Sequence, residues 1–202
     1  IYNICIYVTC VDIDKYKVDR LNSGKITIYE PGLEKIFLRN VNEGRLKFTT
    51  KLEEVLEDSQ IIFLALPTPP SEDGSADLKY VLDVANKLGK LLNGYKVIVN
   101  KSTVPVGTAD MVKKTIELNY KGKFDVVSNP EFLREGVAVD DFMKPDRIVV
   151  GTNSEKAKKL ISQLYTPFVR QGNPIIFMNT HSSELTKYAA NSFLATKISF
   201  MN

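Results

Sequence analysis

The sequence predicts an α/β fold: a Rossmann-like, doubly wound, mostly parallel sheet that ends in the start of a long helix. Three observations carry this reading. Short β-branched runs alternate with longer amphipathic stretches along the 202 residues, as in folds built from repeated strand–helix units. Several runs are apolar on successive positions, most clearly Ile61-Ile62-Phe63-Leu64-Ala65-Leu66, the pattern of strands covered on both faces. Polar segments containing Pro or Gly follow these runs, at the carboxyl ends where open α/β sheets place their ligands.

In chain order, strands are expected at residues 4–7, 8–12, 46–49, 61–66, 96–100, 124–128, 147–150 and 175–178. Helices are expected at 77–92, where Leu78, Val81, Leu82, Val84, Ala85 and Leu88 lie close to one stripe, and at 108–118 and 154–165. Residues 71–75, Ser-Glu-Asp-Gly-Ser, read as a polar turn. Between residues 4–7 and 8–12 a parallel pair would need a crossover of about a dozen residues, and none is present. The first glycine is Gly24. An absent segment of ~20–30 residues, carrying a glycine-rich turn and a helix, is therefore expected between about Ile6 and Thr9.

Composition narrows the classes. Hydrophobic residues make up 44% and charged residues 25%, which supports a core and argues against disorder. A net charge of +3 with scattered Lys and Arg gives no footprint for nucleic acid. No apolar run reaches the ~18 residues of a membrane span, and no basic leader precedes a cleavage site, so a cytoplasmic protein is expected. Cys5 and Cys10 sit in apolar runs and read as small core residues, not as a disulfide framework. No metal-ligand spacing occurs.

Five segments carry candidate chemistry. Asp12 ends an apolar run, where a carboxylate accepts hydrogen bonds from a ribose and repels a 2′-phosphate; a turn or cap is the plain alternative. Lys17, one turn on, could approach the same adenosine or lie in solvent. Leu66-Pro67-Thr68-Pro69-Pro70 is a stiff loop bearing one hydroxyl. Ser102 and Thr103 in Asn100-Lys101-Ser102-Thr103-Val104-Pro105-Val106-Gly107 are exposed hydroxyls at a strand end, or an ordinary helix cap. Ser128-Asn129-Pro130-Glu131-Phe132-Leu133-Arg134-Glu135-Gly136 places two carboxylates four apart, on one face if the segment is helical. A carboxylate held against Phe132 and Leu133 would have its pKa raised, as a general base needs. In Glu184-Leu185-Thr186-Lys187-Tyr188-Ala189-Ala190-Asn191, Leu185, Ala189, Phe193 and Ile198 suggest a buried stripe. Lys187 and Asn191 form a potential oxyanion clamp, the alternative being a Lys187–Glu184 pair. His181 reads as a residue near the helix start.

The order of these segments, with Tyr29-Glu30-Pro31-Gly32-Leu33-Glu34 and Asp141-Phe142-Met143-Lys144-Pro145-Asp146-Arg147-Ile148-Val149-Val150-Gly151, resembles the UDP-glucose/GDP-mannose dehydrogenase family along nearly the whole chain. Phe-Leu-Arg-Glu-Gly and Pro-Asp-Arg-Ile-Val-Val-Gly most resemble its branch that oxidises UDP-glucose. The resemblance implies NAD as cofactor and two-step oxidation of UDP-glucose at C6 to UDP-glucuronate, through a thioester on a cysteine beyond these residues. It implies that Thr103 positions a water, that Glu131 is the base, and that Lys187 and Asn191 stabilise the oxyanion. Phe132, Leu133 and Glu135 would belong to the loop over substrate and cofactor. Asp12 and Lys17 would meet the adenosine ribose, with Thr68, Ser102, Thr103 and Glu135 near the cofactor. Residues 1–179 would form the NAD-binding domain and 180–202 the start of a dimerising central helix, with a UDP-binding domain beyond. The competing readings are a sibling enzyme for GDP-mannose or a UDP-N-acetylhexosamine, a β-hydroxyacid dehydrogenase, and a non-catalytic nucleotide-binding module.

Overall fold

A computed structural model describes residues 6–72, 74–169 and 172–202. The chain divides into two compact units, one holding the chain to Asp58 with Leu133–Met143, the other Ser59–Phe132 with Lys144–Asn202.

In the first unit, β1 (Val8–Val11) pairs in parallel with β2 (Leu46–Thr49). The crossover runs through α1 (Lys15–Asn22) and α2 (Leu33–Asn42). Asp14 caps α1 by accepting from Lys17 N, the N-cap role of a short carboxylate. Both helices pack against β2, and Phe37 of α2 stacks at 5.7 Å on Phe48 of β2. A single turn, α3 (Glu53–Leu56), follows. Residues 1–5 lie outside the described residues, so half of the first expected strand and Cys5 go with them; Ile6 and Tyr7 are irregular and lead straight into β1. Cys10, expected in the core, is exposed, because among the described residues β1 is paired along one edge and the helices lie on β2.

The second unit holds a five-stranded sheet in the order β3-β4-β5-β6-β7. Its strands are β3 (Ile61–Leu64), β4 (Lys96–Asn100), β5 (Phe124–Ser128), β6 (Ile148–Gly151) and β7 (Ile175–Met178). Every pair is parallel except β5–β6, which meet in antiparallel fashion at Ser128 and Gly151. Central β4 is buried along its whole length, as its continuous apolar run requires. Residues 61–66 look equally apolar, yet Phe63 is 40% exposed, because β3 is the sheet edge. Helices α4 (Lys79–Leu91) and α5 (Thr108–Glu117) pack together, and α5 lies on β5. On α7 (Glu155–Tyr165), Ala157, Ile161 and Tyr165 close over Val97, Val99, Val127 and Val150. Each such buried side chain contributes roughly 1.5–3 kcal/mol.

The last helix, α8 (Thr180–Met201), packs its first turns on β5 and β6. The expected buried stripe is overturned: Leu185, Ala189, Phe193 and Ile198 are exposed, and Ser183, Glu184 and Lys187 are buried instead. The rotation follows from the close approach to β6, where a Cβ on Gly151 would lie 2.5 Å from Ser183 Cβ and 2.9 Å from Thr180 Cα. A side chain at 151 would push the helix away and move every polar group it carries. Gly151→Ala is therefore expected to lower stability by about 1–3 kcal/mol, the usual cost of overpacking, read as a shift of the urea midpoint; an unchanged midpoint would show that β6 and α8 can part without loss.

Candidate active site

Three loops leave the carboxyl ends of β3, β4 and β5 in the second unit, and α8 supplies a fourth wall. The β3 and β4 loops are stitched together by hydroxyls. Ser102 Oγ accepts from Leu66 N at 2.9 Å and bonds Leu66 O at 2.7 Å, while Thr68 Oγ1 donates to Thr103 O at 2.9 Å. Ser102 is thus not the exposed hydroxyl expected from its position: it is half-buried and spent on backbone. Thr103 is half-buried, and its own hydroxyl has no bond among the described residues.

The β5 loop is fixed by a buried amide. Asn129 Nδ2 donates to Val149 O at 2.7 Å and its Oδ1 accepts from Tyr165 OH at 2.5 Å, while its backbone N–H bonds Asn100 O. Burial pushes the Tyr165 phenol well above its ordinary range, so it stays a donor. After Pro130 the chain has no regular secondary structure through Arg134, and the helical turn considered for 131–135 is absent; the next helix is α6 (Ala138–Met143). The Glu131 carbonyl, which a helix would need for its i+4 partner, instead accepts from Lys187 Nζ at 2.7 Å.

That ammonium organises the site. Lys187 also donates to Glu131 Oε1 at 3.0 Å, with the lysine side chain 11% and the glutamate 31% exposed. The carboxylate's neighbour is therefore a cation as well as the apolar Phe132. The Phe132 ring lies under Lys187 Nζ at 5.4 Å and Arg147 Cζ at 4.7 Å, both within cation–π range. Lys187 does not pair with Glu184. Glu184 turns to α5, accepting from Gly107 N at 2.6 Å and Ala109 N at 2.8 Å. Asn191 lies one turn beyond Lys187 and is exposed. His181 stands at the helix start, 2.9 Å from Asp110.

Lys101 joins this group, reaching Asn129 O at 3.4 Å. Desolvation pushes its pKa down to about 8; Glu131 opposes the shift and Lys187 adds to it. Sequence reasoning left Lys101, Asn129 and Arg147 without roles. The only signals were a lysine next to a strand-ending Asn and an Asn before Pro, which are ordinary turn features.

The first unit carries the remaining candidates. Asp12 directly follows β1, accepts from Asp14 N at 3.0 Å and forms a short ion pair with Lys17. Hydrogen bonding to Lys17 lowers the Asp12 pKa, with Asp14 N assisting against desolvation. Leu133 and Glu135 fall on this side of the division between the units, at residue 133, and both are exposed. Their segment is held by Arg134, which bonds Asp141 at 2.7 and 3.0 Å. Glu30 accepts from Gly136 N at 3.1 Å and Ala138 N at 2.7 Å. Among the described residues no cluster of His, Cys, Asp or Glu could hold a metal.

Residues 2–169 match the sequence profile of the UDP-glucose/GDP-mannose dehydrogenase family, NAD-binding domain. A UDP-glucose 6-dehydrogenase of Pseudomonas aeruginosa is 49% identical over 200 residues, covering 96% of this chain and 44% of that protein. UDP-glucose 6-dehydrogenase TuaD of Bacillus subtilis is 51% identical over 197 residues, covering 96% and 42%. The solved UDP-glucose dehydrogenase of Pyrobaculum islandicum superposes with a TM-score of 0.91 at 42% identity, covering 96% of this chain and 46% of that one. The GDP-mannose dehydrogenase of Pseudomonas aeruginosa, solved as a ternary complex, also gives 0.91, at 32% identity and the same coverage. The chain thus spans less than half the length of these relatives.

The Lys101 environment generates a pH prediction. Below about pH 8 the residue is charged in both folded and unfolded chains, and its burial is a constant penalty. From there to its ordinary value of about 10.4 the unfolded chain keeps a proton that the folded chain has released, so stability rises with pH across that window. Lys101→Met should be more stable than the parent by on the order of 1 kcal/mol near neutral pH, with the advantage shrinking toward pH ~10. Urea midpoints at the two ends of the window check this, and a pH-independent difference would contradict it.

Proposed function

The chain belongs to the UDP-glucose/GDP-mannose dehydrogenase family, and from that premise we propose that it forms the NAD-binding part of an enzyme that oxidises UDP-glucose at C6 to UDP-glucuronate. The observation that carries the reading is the nearly buried Lys187 ammonium bonded to both the carbonyl and the carboxylate of Glu131. Relatives named for UDP-glucose share about half of its residues, against about a third for the GDP-mannose enzyme, which favours the UDP-glucose branch.

NAD, when bound, accepts hydride. The residues present suit such a cofactor: Asp12, kept ionised by Lys17 and Asp14, is an acceptor for ribose hydroxyls at a strand's carboxyl end. In the second unit Thr68 and Ser102 rigidify the two loops offered to the cofactor, and Thr103 brings a hydroxyl. Glu135 is an exposed carboxylate in the loop assigned to cofactor contact. The C6 alcohol must lose a proton as its carbon is oxidised, so negative charge grows on that oxygen. A preorganised ammonium in a partly dry site stabilises such charge far better than water does. Lys187 has this role, with the amide of Asn191 one turn on. Glu131, already bonded to that ammonium, is the base: it takes the alcohol proton through a water that the Thr103 hydroxyl positions, and later the proton of the water that hydrolyses the thioester. Phe132 and Leu133 form the apolar cover.

In the same reading, residues 1–179 form the cofactor domain and 180–202 begin a central helix. The exposed Leu185, Phe193, Leu194 and Ile198 of α8 support a homodimer formed along it. Among the described residues no helix is long and apolar enough to cross a membrane. A cytoplasmic location belongs to the reading because turnover draws on the cell's NAD pool.

In the full-length enzyme, Lys187→Ala should lower kcat by on the order of 10²–10³, the usual loss for an oxyanion donor, with KM for UDP-glucose far less affected. A near-normal kcat would return Lys187 to a structural ion pair. Asp12 should make kcat/KM higher with NAD than with NADP, because a carboxylate repels the 2′-phosphate, and Asp12→Ala should narrow that ratio. Equal use of both cofactors by the parent enzyme would remove Asp12 from the ribose site.

A further inference from the structure

Glu184 is 2% exposed and uses both carboxylate oxygens on backbone N–H groups more than 70 residues away: Oε2 on Gly107 and Oε1 on Ala109. Helix α5 needs that acceptor. Its N-cap is Gly107, at φ +95°, which has no side chain to cap the first turn. A glycine there lets the loop from β4 turn sharply into the helix, but it leaves the leading N–H groups without a local partner. Glu184 supplies in trans what a Ser or Asp would supply locally, and the positive end of the helix dipole favours its charge. Burial pushes the Glu184 carboxyl up, while the two N–H donors and His181 hold it down. The charged groups nearby are His181 on its own helix and Asp110 on α5, themselves bonded at 2.9 Å.

The clamp sits between two parts of the site. The β4 loop that enters α5 carries Ser102 and Thr103, the latter bonded to Thr68 through its carbonyl. Three residues after Glu184, less than one helical turn away, Lys187 holds Glu131. A carboxylate that reaches from α8 to the start of α5 therefore fixes the Thr103 loop and the Lys187 ammonium in one frame. Nothing in local pairing demands this arrangement. Glu184 could meet Lys187 along its own helix at i+3, and it turns away.

We propose that Glu184 is a positioning residue for oxidation of the sugar nucleotide, locking the loop that bears Thr103 to the helix that bears Lys187. The assignment rests on the reading of this site as a dehydrogenase centre. Glu184→Gln in the full-length enzyme is the decisive variant. It keeps shape and one acceptor, but sets an NH2 against one of the two N–H donors. The expected result is a fall in kcat of about tenfold with KM for UDP-glucose within about twofold, a tenfold change corresponding to about 1.4 kcal/mol of transition-state stabilisation. Amide exchange should quicken over residues 103–110 and stay unchanged in the central strands. The double variant with Lys187→Ala should be no slower than Lys187→Ala alone, because residues acting through one another are not additive. Near-parental kcat, or losses that multiply in the double variant, would overturn the proposal even if the protein were less stable. A parent enzyme inactive on UDP-glucose with NAD would fail the functional reading instead. In that event the exchange measurement decides the clamp: faster exchange at 103–110 in the variant supports it, and unchanged exchange overturns it.

Discussion

A lysine ammonium cannot be taken out of water without partners, and the second unit is arranged around meeting that need for Lys187. Its partners are a carbonyl and a carboxylate of the same residue, Glu131, so the requirement is met by one short stretch of chain just past β5. That stretch must stay out of a helix for its carbonyl to be free. Pro130 and the anchored amide of Asn129 hold it so, through bonds to Val149 and Tyr165. The order of causes runs from a core tyrosine on α7, through a buried asparagine, to a carbonyl that faces an ammonium. Loss of any link would leave a buried polar group unpaired, which costs about 1–3 kcal/mol.

The same need explains why α8 lies with its polar residues inward. Hydrophobic patterning alone would turn Leu185, Phe193 and Ile198 toward the sheet. Gly151 permits an approach so close that only small and polar residues fit beneath, with Ser183 against β6 and its hydroxyl bonded to Ser128 O at 3.1 Å. Glu184 and Lys187 follow Ser183 into the interior, each with a backbone partner. The energy for this orientation comes from charge-assisted hydrogen bonds, not from apolar burial, and the apolar side is left outward.

The strand–helix alternation was legible because it depends on local periodicity. Strands β2, β4, β5 and β7 span the expected β-branched runs, and of the eight α-helices among the described residues the four with expected starts, α4, α5, α7 and α8, begin within two residues of them. What escaped the sequence was decided by distant neighbours. Phe63 and Phe48 look alike in sequence, but Phe48 packs against Phe37 of α2 while Phe63 is left exposed on β3. Cys10 reads as a core residue until β1 is seen to have one strand partner among the described residues. The Lys187–Glu131 contact was half legible: both residues stood out, but the nearer Glu184 was the natural partner at helical spacing. Lys101 was invisible as a perturbed group, since its shift arises from burial and from the charge of Lys187 on α8. The ordered segments did identify the family, because together they form a set that local statistics cannot produce.

Two glutamates perform the same task in the two units, and the repetition shows what such loops require. Glu30 holds Gly136 N and Ala138 N; Glu184 holds Gly107 N and Ala109 N. Each glycine has positive φ, and each stands just before a helix. A loop that offers its side chains to a ligand cannot also bury them to fix itself, and a glycine turn deprives the next helix of a side-chain cap. The unmet N–H groups are then an anchor point for a carboxylate from another part of the chain. Anchoring of this kind leaves the front of the loop free for chemistry while its exit is held from behind.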